Sequence, residues 1–230
     1  MSKKIKTIGM VVAMEKEVIP FLTRIGKSVK SEKRGSFEVF TCRVGNKKIC
    51  LVKSGIGEIY ASSATQLLIS EYKVDLIMNF GVCGSLVKSI EVMQTVIVNG
   101  VVHYDFDLSL IDDVKVGQYP NYLSPIIETD KDLIKLIKSV IPNAKEVICA
   151  SADKFVAENS VKKRLNENFG AVVCDMECAG VLLTANGYNI PTVIIKAVSD
   201  GEGGAEEFQK TVKLASEAYI SAVLEIVKEL

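Results

Sequence analysis

Strands and helices alternate along this chain with no linker and no internal repeat, and that alternation predicts a single α/β domain over residues 1–230. The expected core is a central mixed, mostly parallel β-sheet flanked by helices. Two further observations support the class. Several apolar runs are short enough for strands and apolar on both faces, as buried sheet strands are. At 230 residues, with 48% apolar and 24% charged side chains, the chain can also bury a sizeable core.

Taken in order, residues 5–13 form a short apolar run bounded by charge, a strand. Residues 14–25 carry Val18, Phe21, Leu22 and Ile25 at helical spacing. Residues 36–43 and 48–54 alternate around Gly45-Asn46, which predicts a β-hairpin. Ser54-Gly-Ile-Gly57 is a tight turn into a helix with Ala61, Ala64, Leu67 and Leu68 as its buried stripe. Residues 76–80 are a buried strand ending at Gly81-Val-Cys-Gly-Ser85, and residues 94–102 are another. Residues 103–129 read as irregular and too polar for a core element. Residues 131–140 are helical, 147–151 a strand and 161–168 a charged, exposed helix. Strands follow at 172–175 and 192–199 with a small-residue helix between them, and an amphipathic helix runs from residue 206 to the end. In such sheets the ligand crevice lies at the carboxyl ends of the strands. Ala13-Met14, residues 81–85, residues 151–155 and Ser199-Asp200 are expected there.

Composition narrows the function. Lys plus Arg number 28 and Asp plus Glu 28, so no basic surplus points to nucleic acid. The start, Met-Ser-Lys-Lys-Ile-Lys, is basic, but the apolar run after it is too short for a signal peptide and leads into Glu15 and Glu17. No segment reaches the length of a membrane span. The six cysteines (Cys42, Cys50, Cys83, Cys149, Cys174, Cys178) form no CxxC pair, and the chain has one histidine. Buried free thiols in a reducing cytoplasm fit this pattern better than a disulfide framework or a zinc site. The expectation is a cytoplasmic protein with no metal, no cofactor and no membrane or nucleic-acid partner.

Three acids at three strand–helix junctions stand out. Asp200 follows Val-Ile-Ile-Lys-Ala-Val-Ser, where a buried strand emerges. It is either a helix N-cap or a general acid whose pKa is raised by apolar surroundings. Glu177 lies between Met176 and Cys178-Ala-Gly. A helix dipole accounts for it, as does a polar ligand in a setting with little else to compensate the charge. Glu17 is either a solvated first-turn residue or the third member of one acidic site. His103 with Asp105 and Asp107 reads as structural.

Together these segments resemble the purine nucleoside phosphorylase/nucleosidase superfamily, and within it the methylthioadenosine/S-adenosylhomocysteine nucleosidases. The resemblance spans nearly the whole chain. It runs through Ala-Met-Glu-x-Glu-Val at 13–18, Ser-Gly-Ile-Gly at 54–57, Asn-x-Gly-x-x-Gly at 79–84 and Gly-Gln-x-Pro at 117–120. It continues with Ser-x-Asp-x-Phe-Val at 151–156, Met-Glu at 176–177 and Ala-Val-Ser-Asp at 197–200. The resemblance implies a nucleoside phosphorylase-like fold and hydrolysis of the N-glycosidic bond of an adenine thionucleoside, a small-molecule purine nucleoside. By it, Asp200, oriented by Ser199, would protonate adenine N7, and Glu17 would activate water. Glu177 would hold the ribose hydroxyls beside Met176, Phe155 would stack on adenine and the Val156 backbone would read its edge. Ala13, Met14 and Ile56 would line the substrate pocket, and Lys196 would help hold Glu17. Leu108, Ile111 and Pro120 would close the pocket of a neighbouring subunit in a homodimer.

The chain departs from the family in carrying Val82 for a Ser and Lys196 for an Arg, and its segment after Asp200 is short, so that the aromatic expected over the substrate there is either missing or replaced by Phe208. Lys supplies the charge of Arg but not its planar fork of donors. Three other readings stay open: a phosphate-using phosphorylase, an aminofutalosine-type nucleoside hydrolase, and a non-catalytic purine-nucleoside-binding protein. A phosphate clamp needs convergent Arg, and Asn79 stands where phosphorylases tend to place one.

Overall fold

The computed structural model describes residues 5–230; residues 1–4, most of the basic start, lie outside the described residues. The strands are β1 (Thr7–Val12), β2 (Lys30–Arg34), β3 (Phe37–Val44), β4 (Lys47–Lys53), β5 (Leu76–Ser85), β6 (Thr95–His103), β7 (Ile127–Glu128), β8 (Lys145–Ser151), β9 (Val173–Asp175) and β10 (Thr192–Asp200). The helices are α1 (Glu15–Ile25), α2 (Glu58–Tyr72), α3 (Lys131–Val140), α4 (Asn159–Phe169), α5 (Cys178–Gly187), α6 (Gly204–Ala218) and α7 (Ile220–Glu229).

All strands join one mixed sheet, as the alternation predicts. Its organising strand is β5, parallel to β1 and β10 and antiparallel to the short β9. The sheet closes on itself through β5, β10, β6, β8 and β9, while β1, β4, β3 and β2 extend it outward. Antiparallel pairing takes a larger share than the alternation suggests, because β10 runs against β6 and β9 against β5. One consequence builds the cavity. β10 occupies one edge of β5 along Ile77–Gly84, so β1 and β9 share the other. β1 leaves that edge at Asn79 and β9 joins it only at Gly84, and the backbone between them has no strand partner there.

Helices cover both faces. On one, α1, α3, α6 and α7 pack on β1, β5 and β10 around a ring cluster. Phe80 lies 5.7 Å from Phe21 and 5.4 Å from Tyr219 between ring centroids. On the other, Ala61, Ala64 and Leu68 of α2 and Val181 and Ala185 of α5 pack on Val11, Val52 and Ile77. Gly9 permits the close approach: a Cβ there would lie 3.0–3.2 Å from Ile77, Val74 and Leu68. The β3–β4 hairpin turns on Gly45 at φ +58°. The Asp130 carboxylate caps α3 through the N–H groups of Asp132 and Leu133, both at 3.0 Å.

Several elements differ from the sequence reading. The strand read as ending at Phe80 continues to Ser85, because its two glycines serve close approach and not a turn. The charged β2, Lys-Ser-Glu-Lys-Arg, has no apolar alternation, yet it forms an exposed edge strand on β3. The C-terminal helix breaks at the buried Tyr219 into α6 and α7. In α4, read as exposed, Lys162 and Leu165 are buried. Segment 103–129 contains the short β7, whose Ile127 is buried. Among the described residues no helix is long and apolar enough to cross a membrane.

Candidate active site

A cavity of about 340 Å³ opens where β5 loses its neighbour, lined from the carboxyl ends of β1, β5, β9 and β10. Ala13, Met14, Glu17, Ile56, Phe155, Val156, Met176, Glu177, Ser199 and Asp200 all line it. Phe208 does so as well, edge-on to Phe155 at 5.6 Å. The structure therefore brings the three acids, drawn from residues 17, 177 and 200, to one cavity.

Geometry decides the competing local readings of Glu17 and Asp200. Glu17 is not a solvated first-turn residue but is 2% exposed. Its Oε2 accepts the Met14 N–H at 2.8 Å, and its Oε1 accepts the Val82 N–H at 2.7 Å. Val82 lies in the stretch of β5 that β1 and β9 leave open, so the carboxylate takes the place of a strand there. Gly81 is required beside it, since a Cβ would fall 2.5 Å from Glu17 Oε1. Burial raises the Glu17 pKa against the opposing charge of Lys196 and the two backbone donors.

Asp200 is the last residue of β10 and not a helix cap; α6 begins beyond Gly203. Its Oδ1 accepts the Ser199 hydroxyl at 2.8 Å, and its Oδ2 is buried with no hydrogen-bond partner among the described residues. Gly84 gives it room, a Cβ there lying 3.1 Å from Oδ2. The Lys162 ammonium stands 3.7 Å from the same oxygen. Burial raises the Asp200 pKa, Ser199 and Lys162 oppose the rise and Glu207 adds to it. Gly81 and Gly84 are three residues apart on β5, roughly 10 Å along an extended strand. The two acids are thus seated at separate points and not as a carboxylate pair.

Glu177 sits at the N-cap position of α5 without capping it. Its Oε1 accepts the Gly57 N–H at 3.1 Å, which ties it to the turn carrying Ile56. Burial and the negative charge of Asp175 push its pKa up to about 8, with Lys196 opposing.

The expectation for Lys196 is corrected. Lys196 does not line the cavity and does not pair with Glu17; its ammonium lies 2.8 Å from Asp175 Oδ2, both side chains almost wholly buried. Two backbone N–H groups on Glu17 make a side-chain clamp unnecessary. Leu108, Ile111 and Pro120, expected to serve a neighbouring subunit's pocket, lie outside the lining of this chain's own cavity. They belong to an outlying segment in which Leu110 is 96% and Ile111 78% exposed.

Sequence reasoning passed over Asp175, Ser151 and Glu58. Asp175 accepts the Ser151 hydroxyl at 2.6 Å and the Cys178 N–H at 3.2 Å in addition to Lys196. Burial pushes its pKa up, but Lys196 and these donors hold it below the usual value. The position of Asp175 before Met176-Glu177, at the end of an apolar strand, was the available signal. Cys149, Asp175 and Cys178 place three potential metal-ligand atoms within 4.8 Å of one another. Lys196 already neutralises the carboxylate, and burial raises both thiol pKa values, so the group offers no ready thiolate. The His103 ring bonds the Tyr119 hydroxyl at 2.8 Å and Asp105 at 3.0 Å, away from the cavity lining.

The family described as Phosphorylase superfamily matches residues 7–228. A 5′-methylthioadenosine/S-adenosylhomocysteine nucleosidase of an Exiguobacterium species is 28% identical over 227 residues, covering 94% of this chain and 96% of its own. The crystal structure of the nucleosidase of that name from Neisseria meningitidis, in complex with methylthio-immucillin-A, superposes with a TM-score of 0.91. It is 30% identical and covers 98% of this chain and all of its own. The native structure of futalosine hydrolase from Helicobacter pylori superposes with a TM-score of 0.93 at 27% identity, covering 98% of this chain and 99% of its own.

The buried pair yields a stability test. Lys196→Met leaves Asp175 charged and unpaired, and should lower the unfolding free energy by about 3–5 kcal/mol in urea denaturation. Lys196→Arg should recover most of the loss. A Met variant as stable as the parent would show that the pair does not hold the site.

Proposed function

Because this chain belongs to the phosphorylase superfamily, in its methylthioadenosine/S-adenosylhomocysteine nucleosidase branch, we propose that it hydrolyses the N-glycosidic bond of adenine thionucleosides. The observation that carries the choice of water over phosphate is the cavity lining. It holds Glu17, Asp175, Glu177 and Asp200 with Lys154 as its one basic residue, and none of Arg24, Arg34, Arg43 or Arg164. Four carboxyl groups and no guanidinium suit a cationic sugar and repel a phosphate dianion.

In this reading Asp200 begins protonated, and its unpartnered Oδ2 delivers the proton to adenine N7 as the C1′–N9 bond breaks. Glu17 accepts a proton from the water whose oxygen bonds to C1′. Adenine and the free thiosugar leave, and the two carboxyl groups have exchanged one proton for the other. The raised pKa of Asp200 keeps a proton available, and that of Glu17 makes it a stronger base than an exposed carboxylate. Glu177 hydrogen-bonds the ribose hydroxyls beside Met176, and Phe155 stacks on the base with the Val156 backbone at its edge. Met14, Ile56 and Phe208 bound the 5′ end. The similarity to futalosine hydrolase supports a second substrate class, an aminofutalosine-type nucleoside cleaved by the same chemistry.

The proposal extends to a cytoplasmic homodimer. All six cysteines are free and buried, as a reducing compartment permits. Ile56, Ile59, Tyr60, Leu110, Ile111 and Leu123 are exposed apolar side chains that a second subunit would cover. Leu108, Ile111 and Pro120 would then complete the partner's 5′ pocket.

Adenine release from methylthioadenosine, S-adenosylhomocysteine, adenosine and aminofutalosine should proceed equally with and without phosphate. Formation of a sugar 1-phosphate would replace the hydrolase reading with a phosphorylase one. Asp200→Asn should cost at least about a hundredfold in turnover, and a near-normal rate would remove its role as the acid. Glu17→Gln should stop hydrolysis yet still bind an analogue with a carbon-linked base. Sedimentation equilibrium should give twice the chain mass, and Ile111→Asp should lower it; a monomeric parent would end the dimer reading.

A further inference from the structure

Ser151, at the end of β8, holds one proton between two buried carboxyl groups. Its Oγ lies 2.5 Å from Glu58 Oε1 and 2.6 Å from Asp175 Oδ1, and it accepts the Ala179 N–H at 3.1 Å. A serine hydroxyl has one hydrogen and two lone pairs. Ala179 takes one lone pair, and the hydrogen serves one carboxyl group. The other carboxyl group can approach to hydrogen-bond distance only by bringing its own proton.

Charge decides which one does. Asp175 faces the Lys196 ammonium at 2.8 Å and the Cys178 N–H, and is the anion. Glu58, 7% exposed at the start of α2, has no cation within ion-pair distance among the described residues. Its Oε2 accepts the Gly180 N–H. The groups around it are Ser151 of β8, Asp175 of β9, Asp153 (which accepts the Glu58 N–H at 2.7 Å), Gly180 of α5, and Tyr104 and Tyr119 from the segment after β6. The N-terminal ends of α2 and α5 favour a carboxylate at this place; burial and two neighbouring carboxylates oppose it.

We propose that Glu58 is a positioning residue that works as a neutral acid, donating its own proton to Ser151 and thereby locking three walls of the cavity together. Those walls are the turn 54–57, which precedes Glu58 and carries Ile56, the strand end at Ser151 leading to Phe155, and the first turn of α5 behind Glu177. Loss of the proton sets two carboxylates against one hydroxyl, and the walls separate. Burial and the charge of Asp175 push the Glu58 pKa up to about 7, which places this loss near neutral pH. The inference rests on the proposed hydrolase only for its kinetic readout.

Glu58→Gln tests it, because the amide reproduces the neutral acid: its N–H donates to Ser151, its oxygen accepts from Gly180, and it cannot ionise. Infrared difference spectra of the parent against Glu58→Gln should show a protonated-carboxyl carbonyl band that disappears as pH rises through neutrality. In the parent, KM for methylthioadenosine should climb above that titration by up to about tenfold per pH unit as the competent fraction falls, with kcat little changed. Glu58→Gln should lose this limb, and Ser151→Ala should raise KM at every pH. Absence of the band overturns the neutral acid. A band together with identical KM profiles overturns the positioning role. If no nucleoside is cleaved by the parent, the hydrolase reading fails while the infrared spectra still decide the state of Glu58.

Discussion

The site depends on one buried ion pair, Asp175 with Lys196. The two residues belong to β9 and β10, on opposite edges of β5, so the pair joins the strands that flank the cavity's organising strand. Taking two charges out of water costs more than their attraction returns unless further hydrogen bonds complete the geometry. Here they do: Asp175 also receives the Ser151 hydroxyl and, on both its oxygens, the Cys178 N–H that opens α5. The anion thus sets where α5 starts, and with it where Glu177 stands at the cavity wall.

Fixing one carboxylate as an anion determines its neighbours. Asp175 and Lys196 together absorb the nearby positive charge, and the remaining acids titrate upward under burial. Glu177 and Glu58 are both pushed toward neutrality by the Asp175 charge in addition to burial. Glu17 and Asp200 rise mainly through burial and differ in what opposes the rise: Lys196 and two backbone donors for Glu17, Ser199 and Lys162 for Asp200. Two buried cations, Lys196 and Lys162, and a gap in the sheet give the carboxyl groups different electrostatic surroundings, the condition for acid and base chemistry at one pH.

The sequence made legible whatever rests on local pattern. Apolar runs located most of the strands, Gly45-Asn46 located the hairpin, and acids directly after apolar strands located the cavity. It misled where tertiary contact overrides local preference. Gly81 and Gly84 look like turn residues, yet they lie inside β5 so that Glu17 and Asp200 can approach it. Glu58 looks like an ordinary first-turn acid, and Lys162 like one more charge on a solvated helix, but both are buried by segments more than thirty residues away in sequence. β2 has no apolar pattern because both its faces are exposed, and only its pairing with β3 makes it a strand.

The departure at residue 82 follows from the gap in the sheet. Glu17 is held by the N–H of residue 82 and not by its side chain, so that side chain need not be polar. Val82 is buried and lines the cavity beside the carboxylate. An apolar neighbour there withholds the hydrogen bond a hydroxyl would give and leaves the charged form of Glu17 less stabilised, which strengthens it as a proton acceptor. The second departure works through charge alone: Lys196, lacking the second arm of a guanidinium, spends its short contact on Asp175 and reaches Glu17 through longer-range charge. Backbone geometry thus keeps Glu17 in place, and the Lys196 charge favours its anion against burial. In the proposed reaction the rise that burial leaves is what gives Glu17 basicity toward water.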